Sequence, residues 1–469
     1  MKIKTKSKPL VAILALATIM GFFTFAISTT RADSEVIYVD PSGDITGDTD
    51  TIAIQNAFDA ACSAGSGSSV ILGEGIFYIK NTIYITDFDG IFKGQGKGKT
   101  IVVNEHSDSN PFPVGYLGYP DLFSFWLEDI GTNPEVPARL EITDITFKAI
   151  GTTELWDSWP WAYNMDESFY SIIGIEHYFG EYFYNVKFNA IEILGEPYIN
   201  SWGQSVPNLL EPIGIYSGMT HAISSEISIS DCYISNSFQP IAIYGLTNSQ
   251  IDISYNTFEN SLIRGALIVN CQYTNAKISR NIGINSGIIG TYGTPFTYSN
   301  NYLIEYNKAT NPVDGWTAAV EIWDYTFLEQ SYVITHNKLY SEDSFYGPGL
   351  WIEGGKSVLI ANNIITGTGP FWMAVGVDEP TDGIMIIGNN LQGWEVADYN
   401  GMWGFVPGIA PIWLGGASAN CIVLGHANDM VADYGTDNIL VGVSRIQGPV
   451  IGQEIQEAME QKKELMKYF

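Results

Sequence analysis

Positive charge is scarce in this chain: 22 Lys+Arg stand against 51 Asp+Glu, a formal net charge of −29. Nucleic acid is therefore a disfavoured partner, because its phosphates have to be neutralised by Lys and Arg. The same repulsion works against a polyanionic glycan unless a cation such as Ca²⁺ intervenes. Cysteine is scarce as well. Cys62, Cys232, Cys271 and Cys421 lie far apart with no CxxC pair, which argues against a disulfide framework or zinc knuckle and predicts free, buried thiols. No G-x-S-x-G elbow is present, and His106, His177, His221, His336 and His426 show no metal-ligand spacing. GQGKGKT at 94–100 has Lys93 where a phosphate loop needs its first glycine, and strand-like TIVV follows where a helix is required. A tight turn is the better reading.

Long apolar runs are also missing, with one exception at the front. Lys2, Lys4, Lys6 and Lys8 precede an uncharged run from Leu10 to Ile27, and Thr30-Arg31-Ala32 offers a small-residue cleavage site. Residues 1–32 read as a secretory signal peptide, with an uncleaved N-terminal membrane anchor as the alternative. A secreted or cell-surface protein is expected. Removing this segment leaves 17 Lys+Arg against 51 Asp+Glu, a net charge of −34.

What the chain does have is a repeat. Asn256, Asn281, Asn307, Asn337, Asn363 and Asn389 each follow an apolar residue by three positions, in IDISYN, AKISRN, YLIEYN, YVITHN, VLIANN and IMIIGN. Steps of 25 to 30 residues between β-rich runs mark a solenoid, in which each coil buries its apolar face only against a stacked neighbour. With the apolar spacing as a ruler, Ile145, Val186, Cys232 and His426 fall in the same slot. The asparagines are expected to form a structural ladder. A second set of runs has apolar residues at alternate positions: IEILG (191–195), IGIYS (213–217), IAIYG (241–245), VEIWD (320–324), LWIEG (350–354), VGVDE (375–379) and IWLGG (412–416). Alternation turns one set of side chains inward and the other outward.

Both ends of such a stack need cover. The segment DTDTIAIQNAFDAACSAG has Thr or Asp for an N-cap, helical apolar spacing and a terminal Gly65, which predicts a capping helix at about 50–64. Residues 451–469 carry Ile455, Ala458, Met459, Leu465 and Met466 at helical spacing and predict a C-terminal amphipathic helix.

The front segment, GDTDTIAIQNAFDAACSAG…VILGEGIFYIKNTIYI…GIFKGQGKGKTIVV, resembles the N-terminal cap and first coils of the pectin-lyase-like superfamily. The resemblance implies an all-β, single-stranded right-handed parallel β-helix over 33–450. It would have about a dozen coils and a length of about 60 Å. It carries no catalytic residue with it. The N-T-D, D-D, G-H-G and R-I-K set of polygalacturonases is missing, since Gly425-His426-Ala427 and Arg445-Ile446-Gln447 depart from it. The R-x-P-x-x-R element of pectate lyases is absent too.

Candidate chemistry comes from the outward positions of the alternating strands. Trp323, Glu353 and Asp378 fall in one outward column, and Glu321, Trp351, Gly376 and Trp413 in the other. Adjacent coils bring equivalent residues to about 5 Å, so Glu353 and Asp378 would be neighbours and Glu321 would lie about 8 Å from Glu353. Separations of this kind serve paired carboxylates in glycoside hydrolysis, where like charge raises one pKa and makes a proton donor. Glu321, Glu353 and Asp378 are thus the catalytic candidates. Trp323, Trp351 and Trp413, with Trp159 and Trp161 in one insertion and Trp403 in another, are the sugar-stacking candidates. Solvated surface acids are the competing reading, and a Ca²⁺ site at Glu353 and Asp378 is a third. Arg264, before GALIV, is a weaker candidate for a lyase-type base.

Two functions follow. One is a secreted protein that binds, and in the enzymatic case cleaves, a neutral or calcium-bridged extracellular polysaccharide as a glycoside hydrolase or polysaccharide lyase. The other is a non-catalytic adhesive or structural surface module. Fold alone does not choose between them.

Overall fold

In a computed structural model of the chain, the described residues are 34–105, 121–127, 137–150, 171–177, 184–199, 205–207, 211–217, 225–293, 301–310, 318–324, 330–342, 349–355, 357–369, 374–378, 381–391, 395–396, 412–415, 418–425, 430–433 and 435–446. The leader at 1–32, the C-terminal segment at 451–469, and Trp159, Trp161 and Trp403 lie outside them. Among the described residues no helix is long and apolar enough to cross a membrane.

Three long parallel sheets make up the body, with fourteen, thirteen and eleven strands. The chain visits them in rotation. Ser68–Leu72 belongs to the first sheet, Gly75–Ile79 to the third and Ile83–Thr86 to the second, and the next coil repeats the circuit. This is a right-handed parallel β-helix. At about 4.8 Å per strand the thirteen-stranded sheet is about 60 Å long. Inward residues such as Ile229, Ile253, Ile278, Ile304, Ile334 and Ile360 are fully buried and stack coil on coil. Each such side chain contributes about 1.5–3 kcal/mol by leaving water.

The corner between the first and third sheets takes two residues, as Tyr255 and Asn256 do between Ser254 and Thr257. The first of the two has positive φ, which bends the chain sharply. Tyr255, Arg280, Tyr306, His336, Asn362 and Gly388 all do this. The second is the asparagine, buried in each of these six coils. Asn307 shows the pattern. Its Nδ2 donates to the Ile278 carbonyl (3.0 Å) and to Asn337 Oδ1 (2.9 Å), and its Oδ1 accepts from the N–H (2.9 Å) and Nδ2 (3.0 Å) of Asn281. The side chain supplies the backbone partners that the corner removes. Asn307→Leu should therefore cost roughly 2–4 kcal/mol by orphaning buried donors and acceptors; denaturant titration measures it, and a loss within error of zero would contradict the ladder's structural role.

Cys232 occupies the same slot, its N–H donating to Asn256 Oδ1 (3.0 Å). Val186 does not. It pairs with Ile227 as an inward residue of the first sheet, and Ile191 takes the corner. Apolar residues stand at both positions, so the spacing ruler could not separate them. The run at 191–195 is likewise displaced: Glu192–Gly195 belongs to the third sheet, whereas the other six alternating runs lie on the second.

The front cap is the helix Asp48–Ala64. Its N-cap is Gly47 in the left-handed region rather than Thr or Asp. Asp50 instead accepts backbone N–H groups from Ser42 and Tyr78 at 2.9 Å, which ties the helix to the first coil. Phe58 plugs the end of the core, edge-on to Phe88 and Phe92 at 5.2 and 5.1 Å.

All four cysteines are free. Burial pushes the Cys232 and Cys271 thiols up to about 12, and Cys62 and Cys421 to about 11. A maleimide reagent should label only the half-buried Cys62 in the native protein, and slowly, with the other three reacting after denaturation. Rapid native labelling of Cys232 or Cys271 would contradict the packing.

Candidate functional site

Charge is kept out of a protein interior unless something holds it there. Among the described residues the buried Asp, Glu, Lys and Arg are Asp50, Asp121, Glu176, Glu211, Arg264, Glu321, Asp324, Glu353 and Asp433. Asp50 caps the front coil. The other eight belong to strands of the second sheet or to the residues leading into them. Outward positions of the first sheet, by contrast, are polar and open, as with Glu226, Lys277 and Asn301.

Register explains how the second sheet gathers six of these eight on its outward face; Asp324 and Asp433 fall in the inward register, Asp433 opposite Leu414. One outward column runs in direct pairing through Trp126, Glu176, Tyr216, Tyr244, Val269, Tyr292, Trp323, Glu353 and Asp378. A second runs through Ser124, Gly174, Gly214, Ala242, Leu267, Gly290, Glu321, Trp351, Gly376 and Trp413. In the early coils this column is small, and the hollow it leaves is filled by polar side chains from the step into each strand: Asp121, Ser171, Glu211, Gln239 and Arg264. A Cβ on Gly174 would collide with the Asp121 carboxylate, one on Gly214 with the Tyr216 ring, and one on Gly290 with Arg264. The glycines make room for the charges.

At the front of this face the groups form one network. Tyr216 donates its hydroxyl proton to Glu211 Oε2 (2.7 Å) and lies 3.2 Å from Ser171 Oγ. Tyr244, stacked on Tyr216 with ring centres 5.5 Å apart, donates to Glu211 Oε1 (2.9 Å), and Gln239 Nε2 donates there at 3.3 Å. Asp121 stands beside Glu176 and Ser171, with neither oxygen in a well-directed hydrogen bond. Burial first, then the Glu176 charge, holds the Asp121 carboxyl well above the usual carboxylate range. Burial also raises Glu211, against the lowering effect of the two tyrosine hydroxyls. A carboxyl that holds its proton to higher pH, set beside a second carboxyl, is an arrangement that can supply a general acid with its base.

Farther along, Arg264 Nη2 donates to Glu321 Oε2 at 2.8 Å, both side chains being almost wholly enclosed. Trp351 Nε1 donates to Glu353 Oε1 at 2.7 Å, and Trp351 stacks on Trp413 with ring centres 5.8 Å apart. Glu321, Trp323, Trp351, Glu353 and Trp413 therefore share one face, and Asp378 pairs directly with Glu353 at the backbone. The Asp378 side chain lies outside the described residues. Among those described, no group of three or more His, Cys, Asp or Glu is placed to hold a metal ion. Arg264 is committed to Glu321 in this arrangement, which leaves it poorly suited to serve as a lyase base.

Asp121, Glu176, Glu211, Tyr216 and Tyr244 escaped the sequence reading. The signal was there: stacking SIIGIEH, EPIGIYS, QPIAIYG and RGALIVN on their central residues puts Ser171, Glu211, Gln239 and Arg264 in one column and Glu176, Tyr216 and Tyr244 in another.

No protein-family model and no curated protein matches the sequence. Among solved structures, the A-module of a mannuronan C-5 epimerase from Azotobacter vinelandii is similar with a TM-score of 0.50 and 11% identity, over 85% of this chain and 96% of that one. The catalytic domain of a GH87 α-1,3-glucanase in complex with nigerose matches at 0.46 and 13%, over 88% and 68%. The likeness shows the fold alone, a right-handed parallel β-helix.

Proposed function

We propose that the outward face of the second sheet is the cleft of a secreted, carbohydrate-active enzyme that binds an extracellular polysaccharide and cleaves it by general acid–base chemistry. The observation that carries this reading is that six of the nine buried charged residues among those described, Asp121, Glu176, Glu211, Arg264, Glu321 and Glu353, stand on that one face or at the step into its strands. Holding an ion away from water costs several kcal/mol, and a solenoid built from Ile, Leu and Val gains nothing structural from it. Tyrosines and tryptophans interleave with the acids along the face, as sugar rings require of a binding surface.

The proton donor is assigned to the Asp121–Glu176 pair. Asp121 would give its proton to the glycosidic oxygen, which departs with its sugar as a hydroxyl group while the bond from that oxygen to the anomeric carbon of the other sugar breaks. Glu176, or Glu211 through the Tyr216 hydroxyl, would take the proton from the water that attacks the anomeric carbon. Glu353 and Asp378, adjacent on successive strands six and seven coils beyond Glu176, lie about 29–34 Å farther along the axis. There they form a second acidic end with Trp351 and Trp413, suited to holding the chain. Glu321 is charge-paired with Arg264 and would serve to position the groups around it. With the whole chain strongly acidic, a neutral glycan is favoured over a polyuronate, unless Ca²⁺ bridges the substrate at Glu353 and Asp378. The fold shared with a mannuronan C-5 epimerase module makes polysaccharides the substrate class to test first.

The purified protein should release reducing ends from at least one polysaccharide in a panel of neutral glucans, mannans and xylans, with and without Ca²⁺. Binding without turnover would favour the adhesive module, and neither binding nor turnover would overturn the proposal.

A further inference from the structure

The corner between the first and third sheets carries a second, unrelated feature. From Asp144 to Gly388 the first residue of that corner has positive φ, a conformation that suits glycine, asparagine and aspartate. In these corners Ala190 departs from this preference only with a small side chain, whereas Asp144, Asp231, Asn362 and Gly388 obey it. Four successive coils do not. They place Tyr255, Arg280, Tyr306 and His336 there, all of them exposed.

The four side chains form one stack. The Arg280 guanidinium carbon lies 5.3 Å from the centre of the Tyr255 ring and 5.9 Å from that of Tyr306. Arg280 Nη1 donates to the Tyr255 hydroxyl oxygen at 2.6 Å, and Tyr306 stacks on His336 with centres 5.1 Å apart. Lys308 and Lys338, exposed and in direct register, begin the third-sheet strands just past the corner, and exposed Lys277 lies just before it. Four of the 17 Lys and Arg beyond residue 32 thus fall within three consecutive coils of a strongly acidic chain. Lys277 is 4.0 Å from Glu305, and Asp252 stands opposite it on the preceding coil.

We propose that this ridge is a binding site for an acidic polysaccharide, separate from the cleft and independent of what the cleft does. The ring faces are used within the stack, so a ligand meets the edges: phenol hydroxyls, guanidinium, imidazole and ammonium groups. They repeat at about 4.8 Å per coil, so Tyr255 and Tyr306 stand about 10 Å apart, a spacing suited to alternate sugars of an extended chain. Repulsion from the acidic body is screened beyond about 8 Å at physiological salt, which leaves the local cations in control at the ridge. The aromatic residues and the small number of cations fit a glycan carrying carboxylates better than a nucleic acid, which demands more neutralised phosphates.

The test is affinity electrophoresis of the whole protein through gels holding polygalacturonate or neutral dextran. Polygalacturonate should retard it and dextran should not, and added salt should relieve the retardation. Arg280→Gln, and Lys308→Gln with Lys338→Gln, should weaken binding on the order of tenfold each. Tyr306→Asn separates binding from structure. It restores the residue the turn prefers, so it should keep or raise the melting temperature while weakening binding. Equal mobility in both gels, no effect of the charge substitutions, or single-stranded DNA competing as well as polygalacturonate would each overturn the proposal. Turnover in the cleft should be unchanged by all of these variants, so a failure here is distinguishable from a failure of the enzymatic reading.

Discussion

Asp121→Asn should make the protein more stable near neutral pH and less active, the two effects arising from one cause. General acid catalysis contributes about 10²–10⁴-fold, and a loss of that size in kcat is expected on the substrate found by screening. The stability effect follows from linkage. Asp121 and Glu211 have folded-state values raised above the ordinary carboxylate value, chiefly by burial. In the unfolded chain they release their protons at about pH 4, whereas in the folded chain they hold them to higher pH. The folded form therefore binds more protons in that window. The stability these groups provide is complete below about pH 4 and is lost as pH rises through the raised values. Asparagine removes the titration, so the variant should gain on the order of 1–3 kcal/mol near neutral pH and show a flatter stability profile. Thermal unfolding from pH 4 to 8 measures this. A variant that is destabilised at pH 8 with undiminished turnover would show that Asp121 is an ordinary structural acid.

Arg264→Leu is expected to be the most damaging single change to the fold. The guanidinium is enclosed over Gly290 and bound to Glu321, whose side chain is 1% exposed. Removing it leaves a buried carboxylate without its counter-ion, which costs about 3–5 kcal/mol. The double variant Arg264→Leu with Glu321→Leu removes both charges and should recover most of that loss, because a buried ion pair and an apolar pair of similar volume are close in stability. Denaturant titration of the two single variants and the double variant gives the coupling directly. Additive losses would mean that the pair is not a unit, and the division of the cleft into an acid end and a charge-paired middle would fail with it.

The solenoid was legible because its signals are local and repeated. The asparagine column shows itself through a fixed three-residue offset from an inward isoleucine, and hydrogen bonds from Asn256 to Asn389 follow it coil by coil. The register that pairs Glu353 with Asp378 and Trp323 with Glu353 could be read from the same ruler. The acid end could not. Asp121 and Glu211 sit at the step into a strand, two residues before the inward isoleucine or phenylalanine, where no alternation marks them. The insertions between these coils also break the repeat length. That Glu321 is tied to Arg264 was hidden for another reason. The two are 57 residues apart in sequence and meet only because Gly290, on the coil between, has no side chain.

The central claim is that substrate binds on the outward face of the second sheet, and a crystal structure of Asp121→Asn with a neutral oligosaccharide substrate tests it most directly. The account predicts sugar density along that face, with a glycosidic oxygen beside residue 121 and rings lying toward Tyr216 and Tyr244. Density confined to the ridge at Tyr255–His336, or to any face other than the second sheet's, would contradict it.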